Sequence, residues 1–562
     1  MSKNNQKLAH LKILLATFAI AVSARAWCDG TTNTPASTTD PLLDLFVKKG
    51  YVTQQEADQV KVEAESMQTN NGAYLMPEQS RWKLDDAVKG TELFGDARMR
   101  YEDRTATDPA HNEIELQRLR YALRFGFRGD MFDNFYYGFR LETAANPRSP
   151  WVTAGQSGST SPYQGPFGKS SAGLAVGQIY LGWRYGDWLD ITVGKMPMPL
   201  YTTPMVWDSD ISPEGAAEHF NYKLGPADLF ANFGQFVYAD LNPNNVSAGL
   251  GLPTAPGLGQ SAENIFLFAW QGGVNYHFTT NTTVKVAATL YKYAGLKRSN
   301  TSDSTSSGSP ESPYFGDPYV GEGAYNYYNA VNHNFAPGYA GYSPGTQFNT
   351  QAGGLNYGSL SYPFNQVGLD DLLVVEIPFE FNFRIKKVAA RIFGDFAYNL
   401  QGRQRAEQAA SAYSTILTAN LPPTGNASAH SFPAQTDDVK AYQIGFGIGS
   451  DDLVYGPTQG LVYGTGAHKH DWEIRTYWQH IEQYALDPNI IDSDFFEGRE
   501  NLQGVYASAA YALTGNVITT VRYGYAMRIN NLLGTGGDNQ DIPQMNPINH
   551  FYLLQVDATV RF

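Results

Sequence analysis

The C-terminal stretch alternates strictly. Tyr552, Leu554, Val556, Ala558, Val560 and Phe562 share one face, and Leu553, Gln555, Asp557, Thr559 and Arg561 share the other. One face is apolar and the other mostly polar, which is the period of a strand with one apolar side. The pattern recurs. Leu93, Ala97, Met99 and Tyr101 alternate with Asp96, Arg98, Arg100 and Glu102, and Leu119, Tyr121, Leu123, Phe125 and Phe127 alternate with Arg118, Arg120, Arg124 and Arg128. Phe135 to Leu141 and Leu373 to Phe383 repeat it. Files of aromatic side chains facing water would invite aggregation, whereas facing lipid they suit their solvent. About 16 such segments run from 92–104 and 115–128 through to 516–528 and 549–562. Their connections alternate between short, as at Gly186-Asp187 and Thr514-Gly515, and long, as at Ala294 to Leu369. This predicts an all-β fold, a transmembrane antiparallel up-and-down barrel of about 16 strands over residues 91–562. Short turns then face the periplasm and long loops face outward. Ser450 to His470 breaks the alternation, being long where a turn is due. Either a periplasmic insertion sits there or the count is off by a hairpin.

The N-terminus follows a different pattern. Lys3, Lys7 and Lys12 precede an apolar run from Ile13 to Val22, and Ala24-Arg25-Ala26 closes it. That is the form of a secretory signal over residues 1–26, too short to span a bilayer. Its removal takes the formal charge from −14 to −18. Cys28 raises the alternative of a lipoprotein, but Trp27 then stands where a small residue is expected. In residues 27–90, a Thr/Ser-rich linker leads into a short helical hairpin. Asp40-Pro41 opens its first helix, Gly50 closes it, and Thr53-Gln54-Gln55-Glu56 is a capping box for the second.

Composition agrees with a membrane barrel. The 562 residues include 55 Gly, 36 Tyr and 31 Phe, with only 17% charged. No apolar run of about 20 residues follows position 26, which excludes helical spans from the mature chain. A large secreted all-β protein is the soluble alternative. The excess of 54 acidic over 40 basic residues speaks against a nucleic-acid partner. A single cysteine excludes an internal disulfide and zinc sites built on paired cysteines.

Several stretches resemble bacterial outer-membrane porins, and more narrowly the family named "putative porin". They are Gly194-Lys195-Met196-Pro197, Trp207 to Gly215, Asp471-Trp472-Glu473 and Asp492 to Phe496, followed by Gly504, Tyr506 and Tyr511. The early helical hairpin fits the same family. The resemblance implies an outer-membrane channel, homo-oligomeric and trimeric by preference. Its partners would be membrane lipid and small hydrophilic solutes, with no cofactor. The solute is left open.

The connection from Pro197 to Gly215 is the candidate constriction. Its prolines end the ladder of the preceding strand, and Asp208, Asp210 and Glu214 follow with no cation between 196 and 215. Lys195 is expected to point inward at the strand end. Arg98, Arg100, Arg118, Arg120, Arg124, Arg128 and Arg140 share the inward parity of three successive strands and form a candidate basic wall. The blander readings are a solvated loop, and arginines that pair with Asp96, Glu102 and Glu142. Phe562 resembles the terminal aromatic read by barrel-insertion machinery.

Enzymatic candidates are weak. Gly341-Tyr342-Ser343-Pro344-Gly345 matches a nucleophile motif, but Pro344 has no N–H for an oxyanion hole. His468 and His470 lack a third metal ligand. The expected activity is passive diffusion of small hydrophilic solutes or ions. The rival is a loop-plugged barrel serving as adhesin, receptor or anchor.

Overall fold

The computed structural model describes residues 88–107, 111, 113–144, 149–155, 173–239, 265–294, 372–404, 406–407, 436–454, 467–530, 541–542 and 548–562. The signal, the helical hairpin, Cys28, and the Ala294–Leu369 loop with its serine motif lie outside the described residues, apart from Ala294 itself. Among the described residues, eighteen strands form one sheet. They are β1 (Val88–Thr107), β2 (Glu113–Met131), β3 (Phe135–Ala144), β4 (Val152–Thr153), β5 (Gly173–Tyr185), β6 (Leu189–Lys195), β7 (Glu214–Leu224), β8 (Ala227–Ala239) and β9 (Ile265–Thr279). There follow β10 (Thr282–Ala294), β11 (Leu373–Glu376), β12 (Phe379–Ile385), β13 (Val388–Asn399), β14 (Lys440–Gly449), β15 (Trp472–Ile481), β16 (Leu502–Ala512), β17 (Val517–Arg528) and β18 (His550–Arg561).

Sixteen strands make the wall. β11 and β12 both pair with β10 and β13, so they are one wall strand in two pieces. Pro378 falls at the break, where its missing N–H interrupts the ladder. β4 is a two-residue stub laid against Arg120 and Tyr121 of β2. β1 pairs with β18 from Asp96↔Arg561 to Thr107↔His550, closing the barrel and removing its edges. The long segment after Ser450 is an insertion on the turn side. β14 and β15 are paired directly, Gly449 opposite Glu473, so no hairpin is missing there.

The two faces separate as the alternation predicts. On β1, Leu93 and Met99 are 67% and 72% exposed, while Arg100, Glu102 and Arg104 are buried. An apolar core lies inside the barrel at the long-loop end. Phe236 and Tyr293 at the ends of their strands, and Leu267, Leu502, Phe551 and Leu553 at the starts of theirs, surround buried residues of two inward loops. Those loops position the site.

Candidate functional site

The first inward loop is 196–213. Its prolines cannot donate to a ladder, so β6 stops and the chain turns into the lumen. Met196 N still donates to Pro213 O at 2.9 Å, pinching the loop's base. Met205, Val206 and Trp207 are buried, and Trp207 sits edge-on to Phe236 at 6.2 Å. Thr202 and Thr203 donate their hydroxyls to the wall carboxylates Glu376 and Asp395 at 2.6 and 2.5 Å.

The second inward loop is 482–501, between β15 and β16. It is almost wholly buried, with Phe495 edge-on to Tyr477 at 5.9 Å and tilted against Phe496 at 4.5 Å and Tyr506 at 5.3 Å. The two loops are fastened together. Asp208 N donates to Ile490 O at 2.6 Å, and Asp492 N donates to Pro204 O at 3.0 Å. Asp208 Oδ2 accepts from both the amide and the hydroxyl of Ser493, at 3.2 and 3.0 Å.

These loops carry acids to the arginine wall. Arg100 on β1 binds Asp557 at 2.8 Å and Asp494 at 3.1 Å. Arg104 reaches Asp494 at 2.9 Å, Glu102 at 3.1 Å, Asp541 at 3.2 Å and Glu497. Arg118 pairs with Glu102 at 2.5 Å and with Asp541, and Arg120 lies 3.3 Å from Asp541. Arg124 holds Asp210. Trp151, brought in beside the β4 stub, lies under Arg100, whose guanidinium is 4.0 Å from its ring centre.

Asp208, Asp210, Asp492 and Asp494 of the loops, with Asp541 from the β17–β18 connection, divide. Burial opposes ionisation of all of them. At Asp210 the guanidinium groups of Arg124 and Arg98 outweigh it and hold the carboxyl below its usual range. Arg100 and Arg104 do the same for Asp494, and Arg104, Arg120 and Arg118 for Asp541. Asp208 is pushed well up by burial and by Asp210 and Asp492. Burial and the adjacent Asp494 push Asp492 up to about 7.

Two cavities open beside this cluster. One of about 30 Å³ is lined by Arg120, Asp208 and Asp541 among others. The other, of about 100 Å³, is lined by Arg98, Arg100, Arg475 and Arg522, with the phenols of Tyr477 and Tyr506. Trp151, Ser209, Asp210, Asp492 and Asp494 line both, and so stand where the two adjoin. The arrangement sets ionised acids on inward loops against guanidinium groups on the wall, around polar space.

The structure gathers only part of the expected set. Asp208, Asp210, Arg98, Arg100, Arg118, Arg120 and Arg124 lie in or beside the cluster. Arg140 is buried next to it and bound to Glu142 at 2.9 Å. Arg128 is at the turn-side mouth, paired with Glu92 at 2.9 Å. Lys195, expected inward, instead continues the outward row of Val193, and it meets Glu214 at 2.6 Å. The outward alternation runs unbroken through Gly194, and Glu214, 61% exposed, belongs to that outer face. The sequence reading missed Arg104, Trp151, Asp492, Asp494 and Asp541 as site residues. Arg104 carries the same inward parity as Arg98 and Arg100 and was legible on that ground. Among the described residues no group of three or more His, Cys, Asp or Glu could hold a metal ion.

A closed antiparallel barrel with apolar exterior, polar lumen and inward loops is the architecture of an outer-membrane channel protein. Residues 97–562 match the model of the family described as "Putative porin", and the chain belongs to that family. Among solved structures, OprB of Pseudomonas putida at high pH is similar at 10% identity and a TM-score of 0.39, over 84% of this chain and 94% of that one. OmpF of Salmonella typhi, in complex with daunomycin, is similar at 10% identity and a TM-score of 0.35, over 85% and 99%. No curated protein matches the sequence.

Proposed function

We propose that this channel passes small hydrophilic solutes and ions by passive diffusion, and that the ring of Asp210, Asp492, Asp494, Arg98, Arg100 and Arg522 is its selective narrow point. One observation carries the reading. Two loops with no wall of their own are held inside the lumen by buried hydrogen bonds, and they present acids to arginines beside open space of about 100 Å³. Fixed charges of both signs across a narrow aqueous path discriminate among ions, because the low-dielectric wall strengthens their field. The chain would reach the outer membrane by the signal at 1–26, carry residues 27–90 as a periplasmic segment, and associate with copies of itself. Planar-bilayer recording of the purified protein tests the reading. It predicts stepwise conductance in simple salt.

A second reading has an observation of its own. The apolar core at the long-loop end supports a barrel plugged by its loops and acting as adhesin, receptor or anchor. Electrical silence of correctly folded protein would favour it.

A further inference from the structure

The outer face of the barrel is apolar along most of its rows, and a patch on β6–β8 interrupts it. On β7, Ala217 is buried and His219 reaches the buried Asn232, so both face inward, while Tyr222 and Leu224 are exposed. Glu218 therefore faces out. On β8, Phe236 packs inward on Trp207 and Val237 is exposed, so Gln235 faces out. Lys195 and Glu214 stand on the same side.

These residues lie within apolar rows. Glu218 is opposite Ile191 on β6 and Phe233 on β8; Phe233 is opposite Trp270, and Trp270 is opposite Leu290. Gln235 is opposite Phe268. Lys195 is opposite Ile179, which is opposite Phe139, which is opposite Phe127. Within the patch, Lys195 donates to Glu214 at 2.6 Å and Gln235 donates to Glu218 at 2.8 Å. Among the described residues, Glu218 thus has an amide for a partner and no cation. Lipid offers a carboxylate neither water nor a counter-charge. Ala216 and Ala231 lie alongside, on the same outward parity, and leave the surface low.

We propose that a second copy of this chain covers the patch, making the outer face of β6–β8 the self-association surface. The patch carries a cation and two carboxylates, so a symmetry-related copy can offer Lys195 to Glu218 or Glu214 of its neighbour, and no foreign chemistry is needed. β6 and β7 have 7 and 11 residues against 20 in β1, so the wall is short here, and the loop after β6 turns into the lumen rather than over the patch. The proposal rests on the barrel's exterior facing lipid, which outer-membrane fractionation and heat-modifiable migration test separately.

The test is the mass of the mature protein extracted in mild detergent. Wild type is expected to contain two or more copies. The pair Glu218→Leu and Gln235→Leu makes the face suit lipid and is expected to give a single chain that still fractionates with the outer membrane and remains heat-modifiable. Should that pair not fold, Lys195→Met with Glu214→Met is expected to weaken association in the same way. A monomeric wild type, either folded variant retaining the full assembly mass, or a different protein bound in stoichiometric amount would overturn the proposal. A wild type that does not fractionate with the membrane would overturn the lipid-facing reading instead.

Discussion

Asp492 and Asp494 are two positions apart and differ in charge behaviour. Asp494 accepts from Arg100, Arg104 and Gln555, and its carboxyl is held low. Among the described residues no guanidinium is bonded to Asp492, and burial beside Asp494 raises it to about 7. A raised acid favours the protonated folded form. Its contribution to stability is complete below the ordinary carboxylate range and is lost as pH rises through about 7. Over the same interval the narrow point gains negative charge. Reversal potentials at low salt should therefore shift toward cations between about pH 6 and 8, a window set by that raised value. Asp492→Asn should abolish the shift, and a shift that persists in the variant would assign it elsewhere. Asp208 is also raised, and it is tied to Ser493. Asp208→Asn should therefore change selectivity less than Asp210→Asn does, a ranking measurable in the same recordings.

The fastening of the two inward loops makes a prediction of its own. Ser493→Ala removes the hydroxyl donated to Asp208 at 3.0 Å and leaves a buried oxygen with fewer partners. Such losses cost about 1–3 kcal/mol. The barrel should survive, while channel current becomes noisier as the loops part more often; an unchanged noise spectrum would mean this bond does not hold the loops. The strands were legible because lipid outside and a polar lumen inside impose a period of two from Leu93 to Phe562. The loops were legible only in part. The prolines after Lys195 announce a redirected chain, but nothing local distinguishes a loop entering the lumen from one leaving it. The 482–501 segment reads as polar, with Asp487, Asp492, Asp494, Glu497 and Glu500, yet it is buried because Arg100 and Arg104 of β1 meet Asp494 and Glu497, Tyr238 and Tyr293 donate to Asp487, and Leu486 N donates to Glu500. Lys195 and Glu214 were misplaced for a related reason: a charged pair on the lipid-facing side contradicts the period's usual meaning.

The seam that closes the barrel reaches Phe562. Phe562 N donates to Gly95 O at 3.1 Å, and Gly95 N donates to Phe562 O at 2.9 Å, extending the β1–β18 seam past the end of β18. Gly95 is required there, since a Cβ would run into Arg124 O and the Phe562 ring. Deleting Phe562 should lower the yield of heat-modifiable barrel in the outer membrane, and an unchanged yield would remove the seam from assembly. The selective narrow point is tested most directly by reversal potentials under ion substitution at low salt, for wild type, Asp210→Asn, and Arg98→Gln with Arg522→Gln. At an effective dielectric near 20, a unit charge at about 4 Å is worth roughly 4 kcal/mol, and water in an open path leaves only part of that. That remainder should move Asp210→Asn toward anions and the arginine pair toward cations. Conducting channels whose reversal potentials are the same in all three proteins would contradict a narrow point built from these residues.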